Sequence, residues 1–185
     1  MGHNPTVELR TQRLLLRAFR AGDHDAVHAF ASDPEIVRWM DWGPNTPEET
    51  SIFLGLALLS ETERPRRAYR FAVVRAADDA LIGSAELHIE SPENKRATMG
   101  YLIAGPAQGH GYATEAGQAL ISLAFDELGL HRVTATCDPS NAGSAAVLRK
   151  IGMTQEGHLH DHFLIRGSWR DRLLFAVLNT QARVS

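Results

Sequence analysis

Apolar residues recur along this chain in two rhythms, one of helical period and one suited to strands, and stretches of the two kinds are interleaved. From Asp23 to Phe30 the period is helical, with Ala26, Val27 and Phe30 on one face. Asp33-Pro34 interrupts it and restarts a short helical turn towards Trp39. Thr46-Pro47-Glu48-Glu49 joins a capping threonine, a proline fixed for the first turn and two acids at the positive end of the axis. It predicts a helix running to about Glu61. Strand patterns flank these helices. Leu14, Leu15 and Leu16 give Thr11 to Phe19 the look of a buried strand. Arg70 to Arg75 and Leu81 to Ile89 read as two strands joined by a turn at Ala77 to Ala80, and Thr98 to Ile103 as a third. From Ala113 to Leu128 the apolar face is so wide (Ala116, Leu120, Leu123, Ala124, then Ile121, Phe125, Leu128) that the predicted helix must be largely buried. Gly129 is placed as its left-handed cap. Arg132 to Cys137 reads as a strand and Asn141 to Ile151 as a helix closed by Gly152. Strands around Met153 to His160 and Ser168 to Leu178 form a hairpin through Arg166-Gly167. Helices alternate with strands, yet hairpins occur in the middle and at the end, which implies a mixed α/β sheet covered by helices.

The chain has 185 residues, suited to one domain spanning 1–185 with a sizeable core, and no repeat or Gly/Ser-rich linker divides it. A net charge of -3 argues against nucleic acid as a partner. Cys137 is the only cysteine, which excludes a disulfide framework and a cysteine-rich metal site. Met1 to Phe19 mixes arginines with acids and holds no long apolar run, so neither a signal peptide nor a membrane span is expected and a cytoplasmic protein is the default.

The stretch richest in chemistry is Gly105-Pro-Ala-Gln-Gly-His-Gly-Tyr-Ala-Thr-Glu115, which follows a strand and opens the long buried helix. Such a loop gathers backbone N–H groups where the helix dipole also favours an anion, and glycines at 109 and 111 let it curl without blocking the approach. Phosphate or pyrophosphate is the natural ligand; the plainer alternative is a tight loop needing glycine for geometry alone. The spacing excludes two relatives of this motif. Tyr112-Ala113 stands where a P-loop needs Lys-Ser/Thr, and Thr114 where the dinucleotide motif needs its third glycine.

Gln108-x-x-Gly111-x-Ala113 resembles the Q/R-x-x-G-x-G/A signature of the GNAT acetyltransferases. The resemblance covers nearly the whole chain. Leu9 to Arg17, Gly100-Tyr101, Gly111 to Ala116, Asn141-x-x-Ser144 and Lys150 to Gly157 are similar to the RimJ/RimL branch, which acetylates the N-termini of ribosomal proteins. It implies a strongly twisted, mostly antiparallel sheet of six or seven strands with about four helices, its fourth and fifth strands splayed apart around coenzyme A. Acetyl-CoA is the implied co-substrate, an amine the acceptor, and no metal is called for; a homodimer rests on resemblance alone. The implied pyrophosphate site is the amides of Gln108, Gly109, His110, Gly111, Tyr112, Ala113 and Thr114. Backbone groups of Leu102 and Ile103 are to pair with pantetheine and to bind the oxyanion, Asn141 is to hold the pantetheine arm, and Ser144 is to serve the leaving thiolate.

The chain departs from the family pattern at the base. Thr98 stands where many relatives carry a glutamate, Leu148 where some carry a tyrosine, and Met153 in place of a phenylalanine. Glu86, Glu156 and the histidines remain as candidates. An α-amine of pKa near 8 needs only about 1.4 kcal/mol to lose its proton at pH 7, against about 4.6 for lysine, so the lack of a recognisable strong base leans towards an α-amine. A small amine and a non-catalytic acyl-CoA sensor are the competing readings. His158, His160 and His162 alternate on one strand face, a spacing compatible with zinc, with a base at the acceptor entrance, or with a polar open face. Trp39 and Trp42 are either core anchors or walls of an acceptor pocket, Arg64, Arg66, Arg67 and Arg70 a solvated basic cluster, and Cys137 a small core residue.

Overall fold

The computed structural model describes residues 7–182; residues 1–6, where the segment read for a leader begins, and 183–185 lie outside it. Strands β1 (Leu9–Arg10), β2 (Leu14–Ala18), β3 (Ala68–Arg75), β4 (Ala80–Ser91), β5 (Arg96–Ile103), β6 (Arg132–Cys137), β7 (Thr154–Ile165) and β8 (Ser168–Leu178) form one sheet in the order β1-β2-β3-β4-β5-β6-β8-β7. Eight strands replace the six or seven expected. The extra one arises because Leu9 to Leu16 turns back on itself: Thr11 N–H donates to Leu14 O at 3.0 Å, and Thr11 Oγ1 accepts from Leu14 N–H at 2.9 Å. The strand expected within Thr11 to Phe19 is β2, and Leu9–Arg10 before it folds back as its hairpin partner, with Leu9 opposite Leu16.

Helices cover both faces. On one, α4 (Tyr112–Ser122) and α5 (Ala142–Lys150) bury Leu120, Ile121 and Leu148 against Phe71, Val73, Leu87 and Met99. On the other, α1 (His24–Ala31), α2 (Pro34–Val37) and α3 (Pro47–Thr62) bury Phe30, Val37 and Leu54 against Ala72, Val74 and Leu102. Because the middle of β3 is covered on both sides, Phe71 to Val74 is a continuous apolar run rather than an alternation. Helix α3 begins as expected, with a reciprocal cap between Thr46 and Glu49. The chain ends its described part in a short helical turn, α6 (Asn179–Ala182). Among the described residues no helix is long and apolar enough to cross a membrane.

Two departures from regularity shape the molecule. The helix expected to Leu128 changes at Leu123 into a π-helical turn, where Leu128 N–H reaches back to Leu123 O at 3.0 Å. The wider turn accommodates Leu120, Ile121, Leu123, Ala124 and Phe125, all of them buried. The second departure lies at the one parallel joint of the sheet. Strands β5 and β6 pair only at Arg96–Arg132, Ala97–Val133 and Thr98–Thr134, and then diverge. They correspond to the splayed fourth and fifth strands of the resemblance, renumbered by the extra β1.

Candidate active site

The glycine loop is curled by backbone geometry. Gly109 and Gly111 have φ of +79° and +83°, and Gly111 is the residue from which α4 departs. An added Cβ at Gly109 would meet nothing within 4 Å, so the requirement there is conformational rather than steric. Gln108 turns its side chain inward and Nε2 donates to Ile103 O at 2.8 Å, tying the loop to the end of β5. His110 and Tyr112 stack with ring centroids 5.9 Å apart.

The loop is braced by residues the sequence did not single out. Arg13, on the β1–β2 turn, donates from Nη1 to His110 O at 3.0 Å and lies 4.8 Å from the Tyr112 ring centroid. Its Nε donates to Glu115 at 2.7 Å, and Thr11 Oγ1 donates to the same carboxylate at 2.6 Å. Burial alone would raise the Glu115 pKa, but the hydrogen bonds from Thr11 and Arg13 hold it below the ordinary carboxylate value. A threonine and an arginine on a strand turn carry no signal of an attachment roughly a hundred residues away.

Beyond Thr98, β5 carries Gly100 to Ile103 along the gap, where no pairing with β6 is formed. Across it stands the start of α5. Asn141 Oδ1 accepts from Ser144 N–H at 3.0 Å and caps that helix. Tyr101 crosses the gap from β5, its hydroxyl 3.3 Å from both Ser144 Oγ and Ser144 O. Burial pushes the Tyr101 phenol up to about 12 against a smaller opposing effect of Ser144. It also raises the thiol of Cys137, which lies in the core as expected. The sequence marked Tyr101 only as half of a Gly-Tyr pair. Its contact with Ser144 appears once the two strands separate.

A cavity of about 730 Å³ passes through this gap. Its lining includes Ser144 and Asn141 together with Glu86, His88, Thr98, Trp39, Trp42 and Phe163. Of the candidate bases, Glu86 and His88 face the cavity; Glu156 instead pairs with Arg132. Glu86 lies 3.6 Å from Arg70 and is more than half exposed. Leu148 is buried in the cavity lining and offers no hydroxyl. Trp39 and Trp42 are wall residues, with Trp42 40% exposed. The basic cluster disperses into local pairs, Arg66 with Glu61 and Arg70 with Glu86.

Two further arginines, Arg166 of the expected hairpin turn and the unmarked Arg172, hold the Trp39 to Gly43 wall of the cavity. Arg172 is 4% exposed, pairs with Asp138 at 3.3 Å, donates to Trp39 O at 3.2 Å and lies over Phe163. Arg166, at the tip of the β7–β8 hairpin, reaches the carbonyls of Val37 (3.3 Å), Met40 (3.4 Å), Trp42 (3.0 Å) and Gly43 (2.7 Å). His158 and His160 meet Asp171 on that hairpin, whereas His162 packs on Phe163.

A sheet splayed beside a glycine-turned helix start defines an acyl-CoA-dependent transferase, and residues 13–154 match the family model described as an acetyltransferase (GNAT) domain. The chain belongs to the GNAT family of N-acetyltransferases and uses acetyl-CoA as co-substrate. It is 31% identical to an uncharacterised N-acetyltransferase, YnaD, of Bacillus subtilis over 95% of this chain and 99% of that one. It is 28% identical to the [ribosomal protein uS5]-alanine N-acetyltransferase of Escherichia coli (94% and 91% covered). With the spermidine N(1)-acetyltransferase of Escherichia coli it shares 26% (90% and 86%). The crystal structure of a GNAT-family acetyltransferase from Bacillus anthracis superimposes with a TM-score of 0.83 at 29% identity, covering 94% of this chain and 99% of that one.

Proposed function

We propose that this N-acetyltransferase modifies the α-amine of a peptide or protein, as the RimJ/RimL branch does, with residues 1–185 acting as one domain. The coenzyme's pyrophosphate lies on the amides of Gln108 to Thr114, where left-handed glycines and the α4 dipole converge. Pantetheine follows the edge of β5 at Leu102 and Ile103, which has no strand partner on the β6 side, and Asn141 offers its amide to the arm.

The amine lone pair attacks the thioester carbonyl, the C–S bond breaks, and the thiolate needs a proton. Two hydroxyls meet at the gap, Tyr101 and Ser144, and the raised phenol stays protonated throughout the working range. Backbone N–H groups at Leu102 and Ile103 stabilise the oxyanion. Glu86, carried on the sheet floor of the cavity, receives the amine proton directly or through water.

The observation that carries the α-amine reading is the exposed apolar lip of the cavity, below which stand four carboxylates, Asp41, Glu49, Glu86 and Asp138. Asp138 is paired with Arg172, Glu49 accepts the Thr46 N–H at 2.7 Å in its cap, and Arg70 stands beside Glu86. Each arginine at the cavity is offset by its own carboxylate, so charge alone does not select between a single ammonium and a polycation. Ile52 and Leu56 on the lip of the cavity are 63% and 54% exposed, suited to an acceptor that continues beyond its amine.

The test is thiol release from acetyl-CoA with peptides of varied first residue, their N-blocked counterparts, and spermidine. Turnover on free peptides that vanishes on blocking supports the proposal. Turnover on spermidine alone would move the assignment to a small-amine enzyme, and coenzyme binding with no turnover would favour the sensor.

A further inference from the structure

The β7–β8 hairpin carries a cluster that acetyl transfer does not use. His158 and His160 share one side of β7, and Asp171 faces them from β8. Nε2 of His158 is 2.7 Å, and Nδ1 of His160 3.1 Å, from the same Asp171 oxygen, Oδ2. The two rings stack at 4.5 Å, and the three ligating atoms lie within 4.8 Å of one another.

We propose that His158, His160 and Asp171 bind a divalent transition-metal ion of the Zn²⁺ class. Ligands about 2.0–2.1 Å from a tetrahedral zinc stand about 3.3 Å apart. The two histidine–carboxylate separations are already close to that edge, and the remaining one closes by small side-chain rotations. The sequence offered three alternating histidines, but His162 packs on Phe163, so the third ligand has to come from elsewhere. Strand pairing supplies it, thirteen residues from His158.

The surroundings fit the role. Strand β7 is irregular between Leu159 and Phe163, with Asp161 at φ +46°, and this turns Asp161 N–H onto Asp171 Oδ1 at 3.0 Å. One carboxylate oxygen is thus fixed by the backbone while the other faces the histidines, the outer support that ligating carboxylates need. The His158 and His160 side chains are 43% and 78% exposed, which leaves a path for the ion and room for a water ligand. Two imidazoles and one carboxylate favour zinc-like ions over magnesium. The alternative is a carboxylate that merely accepts two imidazole N–H bonds.

The experiment is calorimetric titration of chelator-treated, full-length protein with ZnCl₂ and, in parallel, MgCl₂. One saturable zinc site is expected, with no matching response to magnesium. Asp171→Asn and His160→Ala should each weaken it at least about tenfold, since even outer-shell changes cost this much. His162→Ala, outside the cluster, should leave it intact. No saturable zinc binding, an equal response to magnesium, or affinity indifferent to D171N and H160A would overturn the proposal. Histidine-ring NMR of the wild-type protein needs no substitution. Zinc should move the His158 and His160 signals and spare His162, and the reverse pattern would equally refute the site.

Discussion

Tyr101 and Ser144 come from different elements and meet at 3.3 Å across a gap in the sheet, so each hydroxyl is aimed by the other. If the phenol donates a proton to the leaving thiolate, Tyr101→Phe should lower kcat by about 10²-fold while the KM for acetyl-CoA changes little. An acid works only while protonated, and a phenol pushed up to about 12 is lost only above that pH. The wild-type rate should therefore show no fall from this group on going from pH 8 to 10. Steady-state kinetics across that range check both statements, and an unaltered kcat in Y101F would remove the tyrosine from the chemistry. Ser144 could be named from its motif. Tyr101 could not be given a role, because its partner lies 43 residues away and the contact depends on how far two strands diverge.

At the scale of elements, the helix starts were largely written in the sequence. Thr46-Pro47-Glu48-Glu49 caps α3 as its composition requires, and Gly111 starts α4 in the left-handed conformation that only glycine adopts freely. Two features were illegible. The π turn at Leu123 satisfies the same apolar stripe as an uninterrupted helix, so hydrophobic spacing cannot distinguish them. The link of Thr11 and Arg13 to Glu115 is a tertiary attachment with no local signature. That attachment has a pH dependence. A carboxylate with a lowered folded-state pKa stabilises the fold above its unfolded pKa, about 4.3, and loses that contribution as pH falls through the folded value. Glu115→Gln should cost about 2 kcal/mol at pH 7, with the deficit shrinking below about pH 4. Urea unfolding of both proteins at the two pH values measures it; a deficit independent of pH would mean the charge is not what matters.

The whole molecule is a sheet whose two parts are joined by three parallel residue pairs, with the cavity passing where pairing stops. The mixed sheet, its central and terminal hairpins and the helix-covered faces followed from the order of the patterns. The Trp39 to Gly43 wall of the cavity did not, because its parts lie far apart in sequence: that loop comes from the first quarter of the chain and Arg166 and Arg172 from the last. If Arg166 positions that loop for the acceptor, Arg166→Ala should raise the acceptor KM several-fold and leave coenzyme affinity, read by calorimetry, unchanged. A parallel loss of coenzyme affinity would mean that the hairpin supports the fold as a whole.

Arg166 grips the loop entirely by main-chain oxygens, and every residue type presents the same carbonyl. The latch is therefore blind to the side chains at positions 39, 40 and 42, which remain at liberty to change towards the cavity while their backbone stays docked. Such an arrangement separates durability from selectivity. If the acceptor is received here, a lineage, or a library, can sample new acceptors at this wall without renegotiating the machinery that handles the acyl donor.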